Sequence, residues 1–172
     1  MFLWLNRPAG VSRRGDMVIA FFAEYLAYAI AAVFLLALAF APALDNQPLT
    51  AFATVLAAAL VSRFVVASGI RYFYQRPRPF LVHRVHNVLT EGSFSFPSGH
   101  STFFFAFSSA VFFFERGLGE IFLISTVVLT TFRVIAGVHY PSDIAAGAAI
   151  GCLCGWLSFA YFMPFFHIIA GL

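Results

Sequence analysis

The chain has 172 residues, of which 62% are hydrophobic and 10% charged, with a formal net charge of +3. A soluble domain runs about 45–50% apolar. A content of 24 phenylalanines and a mean hydropathy of +0.91 therefore exclude a water-soluble globule and place the chain in a membrane, as one domain over residues 1–172. All ten basic residues are arginine, and four of them fall between Arg71 and Arg84. That is too few and too local for a nucleic-acid footprint, but it suits anionic head groups.

Residues 1–16 carry Phe2, Leu3, Trp4 and Leu5 ahead of Arg7 and predict a segment at the membrane interface, a depth that Trp and Arg favour. Arg13 and Arg14 then precede an apolar run ending in Ala39-Phe40-Ala41, which has the outline of a cleaved leader. Pro42 follows at once, Glu24 interrupts the run, and the run exceeds the roughly 7–15 residues of a leader. Met17–Ala41 is therefore expected to be a retained transmembrane helix. The next spans are expected at Leu49–Tyr74, closed by Pro77 and Pro79, at His100–Phe114 with a start as early as Pro97, at Glu120–Val138, and at Pro141–Ile169. Most approach the roughly 20 residues that cross a bilayer, the third being the shortest. Pro97 and Pro141 both suit the first turn of a helix. The expected class is all-α, a bundle of about five transmembrane helices with an N-terminal interfacial segment.

The connections at Leu44–Pro48 and Glu115–Glu120 are short, and Gln75–Phe96 is the one polar segment large enough to form a lid or pocket wall. The phenylalanines of Phe103–Phe107 and Phe112–Phe114 read as lipid-facing bulk. Gly147, Gly151 and Gly155 form a small-residue stripe that serves either packing inside the monomer or a dimer face, so the chain is expected to be a monomer or homodimer. Cys152 and Cys154 point to different sides of a helix and read as packing residues.

Three segments carry the chemistry: Arg71-(six residues)-Arg78-Pro79, Pro97-Ser98-Gly99-His100, and Arg133-(five residues)-His139-(three residues)-Asp143. Charges in an apolar setting are costly and persist where function needs them. When the spans alternate direction, all three segments reach the same membrane face. Phosphoryl transfer requires neutralised oxygens, an aligned nucleophile and a protonated leaving group. Arg71, Arg78 and Arg133 can supply the first, helped by the Ser98 hydroxyl and by the Gly99 amide at the start of a helix. Asp143 can orient His139 as a nucleophile. His100 is then free to protonate the leaving oxygen. Ser98 lacks the G-x-S-x-G elbow of a serine nucleophile.

His83 and His86 with Glu91 can be drawn as an ion site, but nearby arginines oppose it and no multi-carboxylate or H-E-x-x-H cluster occurs. No metal or other cofactor is expected. His83, Arg84 and His86 either line the pocket mouth or are solvated loop residues. Glu24 and Arg63 lie on the order of 10–12 Å below the active face. They either pair with each other, or Glu24 contacts substrate.

These motifs resemble the type 2 phosphatidic acid phosphatase superfamily, with Arg71 where the family has lysine and Phe132 where it usually has serine. The resemblance implies a metal-independent mechanism in which His139 forms a phosphohistidine oriented by Asp143, and His100 acts first as acid and then as base for water. Arg71, Arg78, Arg133, Ser98 and the Gly99 amide would hold the phosphate. Ala23-Glu24-Tyr25 and the run from Arg76 to Phe80 leading to His83 and His86 look like the bacitracin-resistance type of undecaprenyl-diphosphate phosphatase. That likeness implies a polyprenyl pyrophosphate substrate recycled for cell-wall (peptidoglycan) synthesis in the bacterial inner membrane, with the basic loop taking the second phosphate. Phosphatidylglycerophosphate, phosphatidate and lipid A phosphatases, and a non-catalytic lipid binder, are the alternatives.

Orientation divides the two lines of reasoning. Site residues aside, the active face has Arg7, Arg13, Arg14, Arg76 and Arg84 against Arg116 opposite, which by charge alone predicts a cytoplasmic site. The resemblance implies an extracytoplasmic one, and that is the expectation carried forward.

Overall fold

The first apolar run folds as one unbroken helix, Arg13–Ala39, in the computed structural model of the chain, which describes residues 2–40 and 48–170. The expected Pro42 stop and most of the Leu44–Pro48 connection lie outside the described residues. Leu49–Phe73, Arg116–Ile135 and Pro141–Phe165 are likewise long and apolar enough to cross a membrane. Gly99–Phe114 is a shorter apolar helix of 16 residues. At 1.5 Å per residue it covers about 24 Å, less than a full bilayer core. These five helices, taken in chain order, are the first to fifth spans. All regular structure among the described residues is helical.

Local chemistry moves several boundaries. Ser98 caps the third span by accepting a hydrogen bond from the Ser101 amide at 3.4 Å. Pro97 therefore precedes the cap and does not occupy the first turn as expected, whereas Pro141 does. The fourth span begins at Arg116, not Glu120, because the Glu115 carboxylate accepts from the amides of Gly117 at 3.1 Å and of Leu118. It ends at Ile135, not Val138, because Gly137 adopts φ +80° and turns the chain. Three π-helical turns lie within the spans, at Phe21–Tyr25, Val61–Val66 and Ser158–Phe162. The first two contain Glu24 and Arg63, the charges that both hydropathy and cost make unusual.

The third span is central and packs against the second, fourth and fifth. Lipid is as apolar as leucine, so close fit and polar links associate helices here instead of escape from water. The glycine stripe of the fifth span provides that fit. A methyl group at Gly147 would overlap Ser101, at Gly151 the backbone of Thr102 and Ala106, and at Gly155 Ser109. The stripe thus serves packing inside the monomer. Hydrogen bonds add links: Ser62 Oγ donates to Thr102 O at 3.1 Å, Ser101 Oγ to Ile144 O at 2.8 Å, and the hydroxyls of Ser108 and Thr126 meet at 2.9 Å. Each such link is worth on the order of 0.6 kcal/mol in a membrane.

The phenylalanine run is not all lipid-facing bulk. Phe104 and Phe107 are buried and pack with Phe34 and Phe122 in the core, while Phe113 is exposed. The 3.6-residue period sends only part of such a run outward. The N-terminal segment includes a short helix, Phe2–Leu5, held against the motif-bearing end. The Phe2 ring lies 5.4 Å from Tyr140 and 6.2 Å from His83, and Asn6 Nδ2 donates to His86 O at 2.9 Å and Ile135 O at 2.8 Å.

Candidate active site

Four chain segments converge at that end. The Ser98 amide donates to Asp143 O at 3.1 Å, tying the start of the third span to the start of the fifth. Arg71, on the last turns of the second span, clamps the Pro97 carbonyl through Nε at 3.2 Å and Nη2 at 2.7 Å. The turn entering the third span is thereby fixed from both sides. Its first amides, Gly99 and His100, have no carbonyl of a preceding turn to bond and face the N-terminal end of the helix dipole.

Arg78 leaves the second span on extended backbone and turns inward, with 2% of its surface exposed. Its Nε donates to Ser93 O at 2.6 Å and its Nη1 to Val138 O at 2.9 Å, and Nη1 also lies 3.4 Å from His139 Nε2. Arg133, 1% exposed on the fourth span, donates from Nη1 to Ala23 O at 3.1 Å. The π turn of the first span thus presents a carbonyl to the guanidinium. Glu24 is exposed one residue further on, near enough for its charge to act on Arg133. It forms no ion pair with Arg63 among the described residues.

His139 is 1% exposed, in the turn between the fourth and fifth spans. Burial, with the guanidiniums of Arg133 and Arg78 beside it, holds its imidazole well below the usual histidine range. It is therefore neutral at physiological pH, the form that can donate an electron pair. Its Nδ1 lies 3.5 Å from Asp143 Oδ2, short of hydrogen-bond geometry, and has no other partner. Such contacts are often slack in a substrate-free site. Asp143 is fully buried; its Oδ2 accepts from the Tyr140 amide at 2.8 Å and its Oδ1 from Arg76 Nη1 at 2.7 Å. Arg76 also donates to Ser142 Oγ at 2.8 Å and lies 4.0 Å from the Tyr140 ring centroid. It is thus a partner of the site's carboxylate. The His100 ring stacks on Phe104 at 6.4 Å and borders an open cavity.

The remaining loop residues are spread out. His83 is exposed against Phe2 and Tyr140, and Arg84 is exposed. His86 faces the N-terminal segment, with Nε2 3.6 Å from Asp16 Oδ2. No cluster of three or more metal-ligating side chains occurs among the described residues.

Sequence reasoning missed the role of Glu91, considering it only as part of an ion site. Its carboxylate bridges the two phosphate-binding candidates, with Oε1 on Arg133 and Oε2 3.3 Å from Arg78 Nη2. The available signal was that Glu91 is the one acidic residue of the Gln75–Phe96 segment. Burial pushes its carboxyl up, but the Arg133 and Arg78 charges outweigh burial and hold it below the ordinary carboxylate range. A phosphate bound by these two arginines would have to displace this carboxylate. Glu91→Gln is therefore expected to strengthen inhibition of phosphate release by orthovanadate about tenfold, a change of about 1.4 kcal/mol in binding. Because the carboxyl's pKa is lowered, wild type keeps its competing charge until the pH falls below the ordinary carboxylate range. The gap between the two proteins then closes as pH falls through that lowered pKa. Equal vanadate inhibition at neutral pH would refute the competition.

The model of the PAP2 superfamily matches residues 48–166, and the chain belongs to that superfamily. It is a multi-pass membrane protein of a family of lipid phosphatases. It is 28% identical over 147 residues to undecaprenyl-diphosphatase BcrC of Bacillus subtilis, covering 85% of this chain and 74% of that protein. Among solved structures it is similar to Aquifex aeolicus LpxE, with a TM-score of 0.72, 22% identity and 93% of each chain covered. It also resembles the PAP2 type phosphatidylglycerolphosphate phosphatase of Bacillus subtilis, with a TM-score of 0.68, 18% identity and 95% and 85% coverage.

Proposed function

We propose that this protein hydrolyses undecaprenyl diphosphate to undecaprenyl phosphate through a phosphohistidine. The observation that carries the chemistry is the buried, neutral His139, with Asp143 toward one ring nitrogen and Arg78 beside the other. The similarity to an undecaprenyl-diphosphatase along most of the chain supports the substrate. His139 Nε2 attacks the terminal phosphorus while the bridging P–O bond breaks. His100 gives its proton to the leaving oxygen. Arg71, Arg78 and Arg133, with Ser98 Oγ and the Gly99 amide, hold the non-bridging oxygens. His100 then takes a proton from water, the hydroxide attacks the phosphorus, and the P–N bond breaks to release inorganic phosphate. Asp143 holds the ring orientation throughout and stabilises the cationic imidazole. Glu24, His83, Arg84 and His86 belong to the outer pocket in this reading, and the active end faces the extracytoplasmic side of the inner membrane.

The test is phosphate release by purified protein in detergent with EDTA, offering undecaprenyl diphosphate and phosphatidate side by side. EDTA-resistant release with preference for undecaprenyl diphosphate is expected. Preference for phosphatidate would retain the chemistry and overturn the substrate, and no EDTA-resistant release from either would overturn the mechanism.

A further inference from the structure

Arg63 is the one intramembrane guanidinium that the mechanism above leaves unused. It sits in the π-helical turn Val61–Val66 of the second span, and π turns often mark functional positions. The expected pairing with Glu24 is not formed. Among the described residues the Arg63 guanidinium makes no hydrogen bond or ion pair; the Phe64 ring centroid lies 5.5 Å from its Cζ, and the Glu91 charge acts on it from further away. It is only half-buried. A bare guanidinium at membrane depth is costly unless an anion visits it.

Its surroundings say which anion. A methyl group added at Gly99 would overlap Nε and Cζ of Arg63, so this side chain passes directly beside the turn that enters the third span. Only glycine permits that approach. Arg63, Phe64, Gly99, His100, Phe103 and Phe104 line a cavity of about 140 Å³. Arg63 and His100 thus share one cavity. Phe103 and Phe104 also line a second cleft of about 160 Å³, wholly apolar and formed with Phe34, Phe52 and Val55. A charged end followed by an apolar end matches a phosphate attached to a hydrocarbon chain. Of the basic loop expected to take the second phosphate, Arg76 is committed to Asp143 and Arg84 is exposed.

We propose that Arg63 binds the lipid-linked phosphate of a diphosphate substrate, the phosphate that leaves with the tail, and so makes the site select diphosphates over monophosphates. This rests on the diphosphate reading above. During transfer the electron pair of the breaking bridging P–O bond moves onto the leaving phosphate, and His100 delivers its proton to that oxygen. Arg63 neutralises the remaining charge next to His100. A monophosphate ester releases an alcohol and has no charge for Arg63 to meet.

The experiment compares farnesyl diphosphate with farnesyl monophosphate in detergent, using wild type, Arg63→Gln and Arg63→Lys. Wild type is expected to favour the diphosphate. Arg63→Gln should lose about 100-fold in kcat/KM on the diphosphate while staying within about twofold on the monophosphate, the cost of one charge-assisted phosphate contact in a dry site. Arg63→Lys should recover part of the loss. Inorganic pyrophosphate should compete better than inorganic phosphate in wild type and lose that advantage in Arg63→Gln. An equal fall on both substrates, or a diphosphate preference and pyrophosphate advantage kept by Arg63→Gln, would overturn the role of Arg63 and leave the diphosphatase reading standing. A wild type with neither a diphosphate preference nor a pyrophosphate advantage would overturn both, and shows itself before any variant is compared.

Discussion

His139→Ala is expected to lower phosphate release by about 10⁴-fold or more, because a covalent route loses its nucleophile and not merely a contact. The decisive readout is the intermediate. Wild type mixed briefly with farnesyl diphosphate labelled in its terminal phosphate should carry label on protein that acid removes and base does not, the behaviour of a P–N bond. His139→Ala should carry none. Asp143→Asn should retain labelling at a rate reduced by about 10²–10⁴-fold, since it leaves the ring in place and removes the charge that orients and steadies it. His100→Ala separates the two half-reactions. With an aryl phosphate whose leaving group needs no proton, this variant should still acquire label and then release it slowly, for want of a base. Label that persists in His139→Ala would place the covalent bond elsewhere and end the proposed mechanism.

Arg78→Lys is expected to be nearly as damaging, although it conserves charge. The guanidinium fork of Arg78 reaches Ser93 O, Ser93 Oγ, Val138 O, Glu91 and the vicinity of His139 at once. An ammonium has one centre and cannot span those directions. Two losses should appear together. kcat/KM should fall by about 10²–10³-fold from a missing oxyanion donor. Stability in detergent should fall by about 1–3 kcal/mol, from buried acceptors such as the Val138 carbonyl left without their donor. Arg116→Lys is the control: its Arg116–Glu120 pair is exposed at the opposite end and should affect neither measurement. Activity within threefold of wild type in Arg78→Lys would show that the fork is dispensable.

Glu91 and Arg63 change how specificity is understood in such a site. The two most buried of the arginines proposed to bind phosphate hold a carboxylate of the protein's own loop. This lowers the cost of keeping Arg78 and Arg133 buried and charged before substrate arrives. It also sets a threshold, since a ligand has to outcompete that carboxylate. Arg63 makes no ion pair with Glu91 and lines the cavity it shares with His100. The site therefore divides into a transferred-phosphate half, guarded by Glu91, and a leaving-phosphate half centred on Arg63 and His100.

Much of this was legible in the amino-acid order. Membrane residence, the number of spans and the gathering of three motifs at one face follow from hydropathy, span length and alternation, which are local properties that add along the chain. The proline at the start of the fifth span is equally local. Other features depended on which helix faces meet. Phe104 and Phe107 are core because the third span is surrounded, and no run of phenylalanines states its own rotation. The glycine stripe could have served another subunit until its fit against Ser101, Thr102 and Ser109 placed it inside the monomer. Glu91 reaches Arg133 across 42 residues of sequence, through a loop whose path is decided by Arg78 and the Ser93 carbonyl. Arg63 and Glu24 lie at similar depths, which made pairing a fair expectation, yet depth is only one of three coordinates. The angular placement of each helix carried Glu24 toward Arg133 and Arg63 toward Gly99 and His100. Sequence by itself determined the family of this protein and the gathering of its three motifs at one end of the bundle. Tertiary structure alone decided which charges neutralise one another and which is left open for a substrate, because that choice depends on distances of a few ångströms between segments far apart in the chain.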